Sequence, residues 1–277
     1  MKNSVSVVIP VYNRKPVICR AVESALRQTF KPDEIILVDD GSTDGTTEII
    51  TQQYPSVRCI SIKHSGVSAA RNCGIHAAAG EWIAFLDSDD EWEKDKLKIQ
   101  MKDLENHPQA VFSHTQEKWI RGGKTVNPPK KYLKSGGDVF FRSLPLTMIA
   151  ASTVIVKKSI LVSLGGFDER MPVCEDYDLW LRIACYYPAR YIDEKLTIKY
   201  GGNPDQLSLT VPFQDKWRIH SLVQLLEKHS LNMDVEKKLA VKNELAKKLK
   251  IILSGLSKKN LISEMAYYEN LQKKWLG

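Results

Sequence analysis

The sequence predicts an α/β protein with a mostly parallel sheet between helices and a helical C-terminal extension. Three observations predict it. The first hundred residues alternate short, continuous apolar runs with amphipathic stretches of helical period, the pattern of a parallel sheet covered on both faces. The polar motifs fall just past the carboxyl ends of the apolar runs, where such sheets bind ligands. From about Pro212 to the end the chain reads as helical throughout.

Residues 4–11 read as a buried strand and 20–26 as part of a helix. A strand at 34–38, a helix at 46–53, a strand at 57–62 and a helix at 67–79 follow, then a strand at 81–86 and a helix at 94–106. After Pro108 the rhythm changes. A hairpin is expected around Arg121-Gly122-Gly123-Lys124, a loop at Asn127-Pro128-Pro129, a strand at 152–156 and a helix at 176–187. The tail divides into two or three helices, broken near Ser230-Leu231-Asn232 and at Gly255. These elements give one domain over 1–211, with halves 1–107 and 108–211, and an extension over 212–277. No internal repeat is visible.

The 277 residues, 43% of them hydrophobic, suit one large domain or a domain with an appendage. No apolar run approaches the ~18 residues of a membrane span. Met1-Lys2-Asn3-Ser4 leads straight into a strand-like run, leaving no room for a signal peptide, so the chain reads as cytoplasmic. Cys19, Cys59, Cys73, Cys174 and Cys185 form no C-x-x-C pair and indicate neither a disulfide framework nor a zinc site. The formal charge is +7, and most of the excess lies in the tail, on residues such as Lys237, Lys238, Lys247, Lys248, Lys273 and Lys274. A solvated helical face explains these lysines, as does peripheral contact with anionic lipid at the inner face of a membrane; no nucleic-acid partner is implied.

The most informative junction is the run Trp82-Ile83-Ala84-Phe85-Leu86 ending in Asp87-Ser88-Asp89-Asp90-Glu91. Four carboxylates in five positions repel one another by ~1 kcal/mol per close pair in water and more where desolvated. In an extended chain Asp87 and Asp89 would point the same way, roughly 6.6 Å apart, and could share a hard divalent cation. A solvated acidic turn before the next helix is the plainer reading. The first strand ends Pro10-Val11-Tyr12-Asn13-Arg14 and the second Asp39-Asp40-Gly41-Ser42-Thr43-Asp44-Gly45. The latter imitates a calcium loop, but Thr51 stands where the bidentate Glu should be, and a capped turn explains it equally. His64-Ser65-Gly66-Val67 opens a helix carrying Arg71, which suits either a phosphate or close packing with Arg71 paired to an acid. Glu175-Asp176-Tyr177-Asp178 begins a helix whose Leu179, Trp180 and Ile183 face the core; its acids are either dipole partners or a general base.

Five segments in order resemble family 2 glycosyltransferases of the GT-A fold: Val8 to Asn13, Val38 to Asp44, Gly66 to Asn72, Asp87-Ser88-Asp89, and Gly165 to Asp168 with Glu175-Asp176. The resemblance covers the first two hundred residues. It implies a Rossmann-like sheet and inverting transfer of a sugar from a nucleotide-diphosphate sugar, UDP favoured, to an acceptor hydroxyl. Pro10, Tyr12, Asn13, Asp39, Arg71, Asp87 and Ser88 would then serve the nucleotide. Asp87 and Asp89 would form the DxD motif, with Asp89 the direct ligand of Mn²⁺ or Mg²⁺. Asp176 would be the catalytic base, and Glu175 and Trp180 would bind the acceptor, a glycan or lipid-linked sugar of the kind used in surface polysaccharide or lipopolysaccharide assembly.

The chain lacks the Gln-x-x-Arg-Trp motif of processive synthases, which favours single additions. Residues 199–208 stand where related enzymes have a loop that closes on the donor. The alternative is a nucleotide-sugar-binding regulatory module without turnover. A receiver domain is too short, and a nucleotidylyltransferase should open with a glycine-rich basic loop. The catalytic reading requires Asp89 and Asp176 to converge on one cleft.

Overall fold

The computed structural model describes residues 3–202 and 213–277. The strands β1 (Val5–Val11), β2 (Glu34–Asp39), β3 (Arg58–Ser61) and β4 (Trp82–Phe85) run parallel, linked by α1 (Ile18–Leu26), α2 (Thr46–Gln53) and α3 (Val67–Ala77). Next come β5 (Glu91–Trp92), α4 (Lys96–Asn106), and the hairpin β6 (Phe112–Arg121) and β7 (Lys124–Val126). Then follow α5 (Phe140–Ser143), β8 (Ile155–Lys157), α6 (Lys158–Ser163), α7 (Glu175–Ala184) and β9 (Arg190–Gly201). Three tail helices complete the described chain: α8 (Gln214–Lys228), α9 (Val235–Lys258) and α10 (Ile262–Leu276).

The nine strands form one sheet in the order β3-β2-β1-β4-β8-β6-β9-β5, with β7 beside β6. β8 pairs antiparallel with both β4 and β6, whereas β6 and β9 are parallel. Alternation along β1 separates two cores. Val5, Val7 and Ile9 face α1, Ile50 of α2 and Leu97 and Met101 of α4, while Val8 faces Ala70 and Ile75 of α3. Each fully buried branched side chain contributes about 1.5–3 kcal/mol, which holds the strand in one register.

The second core continues without a break into the tail: Ile219, Leu222 and Leu226 of α8 and Val241, Leu245, Leu249, Ile252 and Leu256 of α9 pack with Phe85 and Trp180. α9 does not break at Gly255. The residue costs the helix about 1 kcal/mol relative to alanine, but burial of Ile252 and Leu256 on either side outweighs this, and the chain turns only at Asn260, where φ is 58°. The break at Ser230–Asn232 is a 3-10 turn.

Two further expectations need correction. Residues 152–156 are not one strand, because Ala151–Thr153 forms a 3-10 turn before β8. The twelve-residue β9 has no counterpart in the sequence reading; Asp193-Glu194-Lys195 interrupts its apolar alternation, and its pairing with β6 shifts register opposite Gln116. The expected closing loop is divided: Lys199 to Gly201 end β9, and residues 203–208 lie outside the described residues.

Candidate active site

The DxD segment is a turn rather than an extended strand. β4 stops at Phe85, and the Asp90 amide donates to the Asp87 carbonyl at 3.0 Å, so the side chains are placed by the turn and not by the pleat. Ser152 fixes this turn from beneath. Its hydroxyl accepts the Asp87 amide at 3.0 Å and donates to Asp90 Oδ2 at 2.6 Å. Its carbonyl accepts from Trp92 Nε1 at 2.7 Å and from the Thr197 hydroxyl at 3.1 Å. Nothing in the sequence marks Ser152, since its four partners come from two segments far from it in the chain, Asp87 to Trp92 and Thr197.

Arg71, on α3 and 4% exposed, joins this turn to the start of α7. Nη2 donates to Asp87 Oδ1 at 2.7 Å and Nη1 to Glu175 Oε1 at 2.6 Å. Burial alone would lower the guanidinium pKa, but the two carboxylates outweigh it and raise it. Burial likewise pushes Asp87 up, and Arg71, then Lys199, pulls it below the ordinary carboxylate value.

Asp176 occupies the first turn of α7, preceded by Cys174 with left-handed φ of 62°. Three acids in that first turn complement the helix dipole. Asp176 nevertheless has its pKa pushed up to about 7, by burial first and then by the neighbouring Glu175 carboxylate. A carboxyl poised near neutrality suits proton abstraction.

Pro10, Arg71, Asp87, Ser88, Asp89, Glu175 and Asp176 line one cleft of about 390 Å³. Asp89 and Asp176 therefore do converge. The same cleft also receives side chains that sequence reasoning missed: Glu117 and Lys199 from β6 and β9, Lys134 from the loop after the hairpin, and Gln214 and Arg218 from α8. Lys199 Nζ lies 4.0 Å from Asp90 Oδ2, and Lys134 Nζ 3.3 Å from Glu117 Oε2. A lysine near the end of a strand was a weak available signal; the others had none.

Tyr12, Asn13 and Asp39 sit beside this cleft at the ends of β1 and β2. Tyr12, 41% exposed, stacks on His64 with centroids 4.1 Å apart. Asn13 Oδ1 accepts the Thr43 amide, and Asp39 accepts from the Ser42 amide and the Thr47 hydroxyl. The calcium-like loop is a capping network: Asp44 accepts from the Thr46 amide and hydroxyl and from the Lys15 amide, and Asp40 from the Ser65 and Gly66 amides. Trp180 does not reach the cleft. It is 2% exposed and packs against Phe85 and Phe167, as its helical position on the apolar face requires, so it presents no surface to an acceptor.

Among the described residues no group of three or more His, Cys, Asp or Glu side chains is placed to hold a metal ion. Asp89 is nonetheless a cleft carboxyl whose pKa is raised by burial and by Asp87, which marks a negative charge in want of compensation. That donor set does not fit a cage built of protein alone. It fits Mg²⁺ or Mn²⁺ held by one or two carboxylates with substrate phosphates and water completing the shell.

Comparison with known proteins gives the family and the fold. The model of glycosyl transferase family 2 matches residues 6–163. An uncharacterized glycosyltransferase of Rickettsia felis is 38% identical over 200 residues, 70% of this chain, which spans 32% of that protein's length. The UDP-Glc:alpha-D-GlcNAc-diphosphoundecaprenol beta-1,3-glucosyltransferase WfaP of Escherichia coli is 38% identical over 188 residues, 65% of this chain and 69% of that protein. Among solved structures, S. aureus TarS 1-349 in complex with UDP-GlcNAc shares the fold with TM-score 0.69 and 21% identity, over 89% of this chain and 71% of that chain.

Proposed function

The chain belongs to glycosyl transferase family 2, and on that footing we propose that it transfers a sugar, with inversion, from a nucleotide-diphosphate sugar to an acceptor hydroxyl. The observation that carries this reading is the placement of Asp89 and Asp176 on one cleft, bridged through the Asp87–Arg71–Glu175 ion pairs. Pro10, Tyr12, Asn13 and Asp39 receive the nucleoside at the ends of β1 and β2. Asp87 and Asp89 face the diphosphate, and Asp89 is the residue that would hold Mn²⁺ or Mg²⁺. Such an ion, when bound, would neutralise the departing diphosphate.

Asp176 takes the proton from the acceptor hydroxyl as it attacks the anomeric carbon from the side opposite the leaving group. Opposed groups of this kind invert the centre, as in inverting glycosidases. Glu175 serves this step indirectly: it is tied to Arg71, and its charge helps keep Asp176 basic. As the new bond to the anomeric carbon forms, its bond to the diphosphate oxygen breaks, the nucleoside diphosphate leaves, and Asp176 passes the acceptor's proton on to solvent.

UDP is the favoured nucleotide, because WfaP is named for UDP-Glc and TarS was solved with UDP-GlcNAc. The name of WfaP also supports an acceptor sugar carried on a lipid diphosphate, and hence a place in surface polysaccharide assembly. No helix among the described residues is long and apolar enough to cross a membrane. Access to such an acceptor would come by peripheral contact of the lysine-rich tail with anionic lipid.

Calorimetric titration with UDP and Mn²⁺, followed by UDP-release assays with UDP-glucose and UDP-GlcNAc on a GlcNAc-diphosphate lipid, tests the reading. Binding of UDP that is lost in Asp89→Asn, and turnover lost in Asp176→Asn with UDP binding intact, are the expected results. Absence of UDP binding would overturn it.

A further inference from the structure

A second concavity, of about 340 Å³, opens beside the cleft and is lined by Trp119, Arg121, Val126, Asn127, Pro129 and Tyr132. Trp119 and Tyr132 line both spaces, so the two adjoin at these rings. From this we infer that the β6–β7 hairpin and the segment after it build a subsite for a second saccharide ring of the acceptor, beyond the sugar that receives the transfer. The inference rests on the transfer reading and adds to it that the acceptor is an oligosaccharide chain rather than a single sugar.

Three features carry it. The Trp119 ring is fixed at its edge, because Nε1 donates to Glu117 Oε1 at 2.7 Å, and Glu117 is itself paired with Lys134. The ring therefore keeps a constant orientation where it lines the concavity, with the Arg121 guanidinium over it. The Tyr132 ring lies 5.6 Å away at 48°, giving two angled aromatic walls. A pyranose presents axial C–H groups, weakly positive, to the negative π face of such rings while its hydroxyls project sideways.

The polar lining selects the class of ligand. Arg121, whose guanidinium stands 5.4 Å from the Trp119 ring centre, and Asn127 offer hydrogen-bonding groups around the rings. A hydrocarbon chain seated there would desolvate them without return, whereas sugar hydroxyls replace the lost water. Position sets this space apart from the base. β6 lies three strands from β1, about 14 Å across the sheet, so the base cannot occupy both the β1–β2 ends and this hairpin.

The test compares saccharide length at fixed chemistry. Saturation-transfer NMR on the full chain with UDP and Mn²⁺ would titrate glucose, cellobiose and cellotriose, and GlcNAc, chitobiose and chitotriose. The expected result is a gain of about five-fold in affinity from monosaccharide to disaccharide in at least one series. Trp119→Ala abolishes that gain and Trp119→Phe keeps most of it, with UDP affinity and melting temperature measured in parallel so that loss of the fold or of donor binding is read separately. Equal affinity along both series, or a gain that survives Trp119→Ala, overturns the subsite. Failure of UDP to bind the parent protein would instead strike at the transfer reading, and the two failures are read in separate titrations.

Discussion

Two carboxylates on facing walls of the cleft, Asp87 and Asp176, are held in opposite ways. On the wall formed by the end of β4, Asp87 is pressed by burial towards its neutral form and rescued by Arg71 and Lys199, which hold it ionised. On the wall formed by α7, Asp176 is buried beside Glu175 while Arg71 is spent on Asp87 and Glu175, and its pKa climbs to about 7. The guanidinium bonds Asp87 and Glu175 directly but acts on Asp176 only from a distance, too weakly to offset burial and the Glu175 charge. A carboxylate held ionised by cations keeps its charge, and one that gains and loses a proton near neutrality suits base catalysis; Asp89 and Asp90, beside Asp87, are pushed up by burial as Asp176 is.

Removing the titrating carboxyl should break the comparison most severely. Asp176→Asn is expected to lower the transfer rate by about 10²–10⁴-fold with UDP affinity unchanged, measured by UDP release and calorimetry. The same variant should raise stability above pH 7. The folded pKa of Asp176 lies above its unfolded value near 3.8, so its contribution to stability is lost as pH rises between 3.8 and about 7, and asparagine escapes that loss. A denaturation midpoint lower than the parent's at pH 8 would contradict the burial argument.

Arg71→Met strikes both walls at once. It leaves Asp87 and Glu175 without their partner, and a loss of about 3–5 kcal/mol is expected in urea unfolding, with Arg71→Lys losing less. If the methionine variant unfolds at the parental midpoint, the bridge contributes nothing. A gentler probe is pH. Transfer should fall about tenfold for each unit below pH 7 as Asp176 takes up its proton, and the fall should be absent from the residual rate of Asp176→Asn.

The smallest effect is expected from Ser152→Ala. It removes the donor to Asp90 and the acceptor for the Asp87 amide, at a cost of about 1–3 kcal/mol in stability, with weaker binding of UDP with Mn²⁺. Parental UDP affinity in this variant would show that the turn keeps its shape without the serine.

Legibility in the sequence followed the range of the forces involved. β1, β2 and β4 were evident because a strand buried on both faces must be apolar throughout, as Val5–Val11 is. The helix at Thr46–Gln53 was recovered at both ends. β9 was not, because Asp193, Glu194 and Lys195 are tolerated where the strand reaches solvent. Trp180 illustrates the opposite failure: its spacing placed it in the core, and the acceptor role drawn from resemblance has no exposed face to act through.

By itself the sequence determined the layered sheet, the order of its parallel strands and helices, and the identity of the acids at the strand and helix ends, since these depend on periodicity and on neighbours a few residues away. Only the tertiary structure decided that Asp87 and Glu175 share Arg71, that Ser152 holds the DxD turn, that Lys199 and Arg218 enter the cleft, and that Asp176 is left near neutrality. Those outcomes depend on distances between segments about a hundred residues apart and on how much water each charge retains, and neither quantity is written in local spacing.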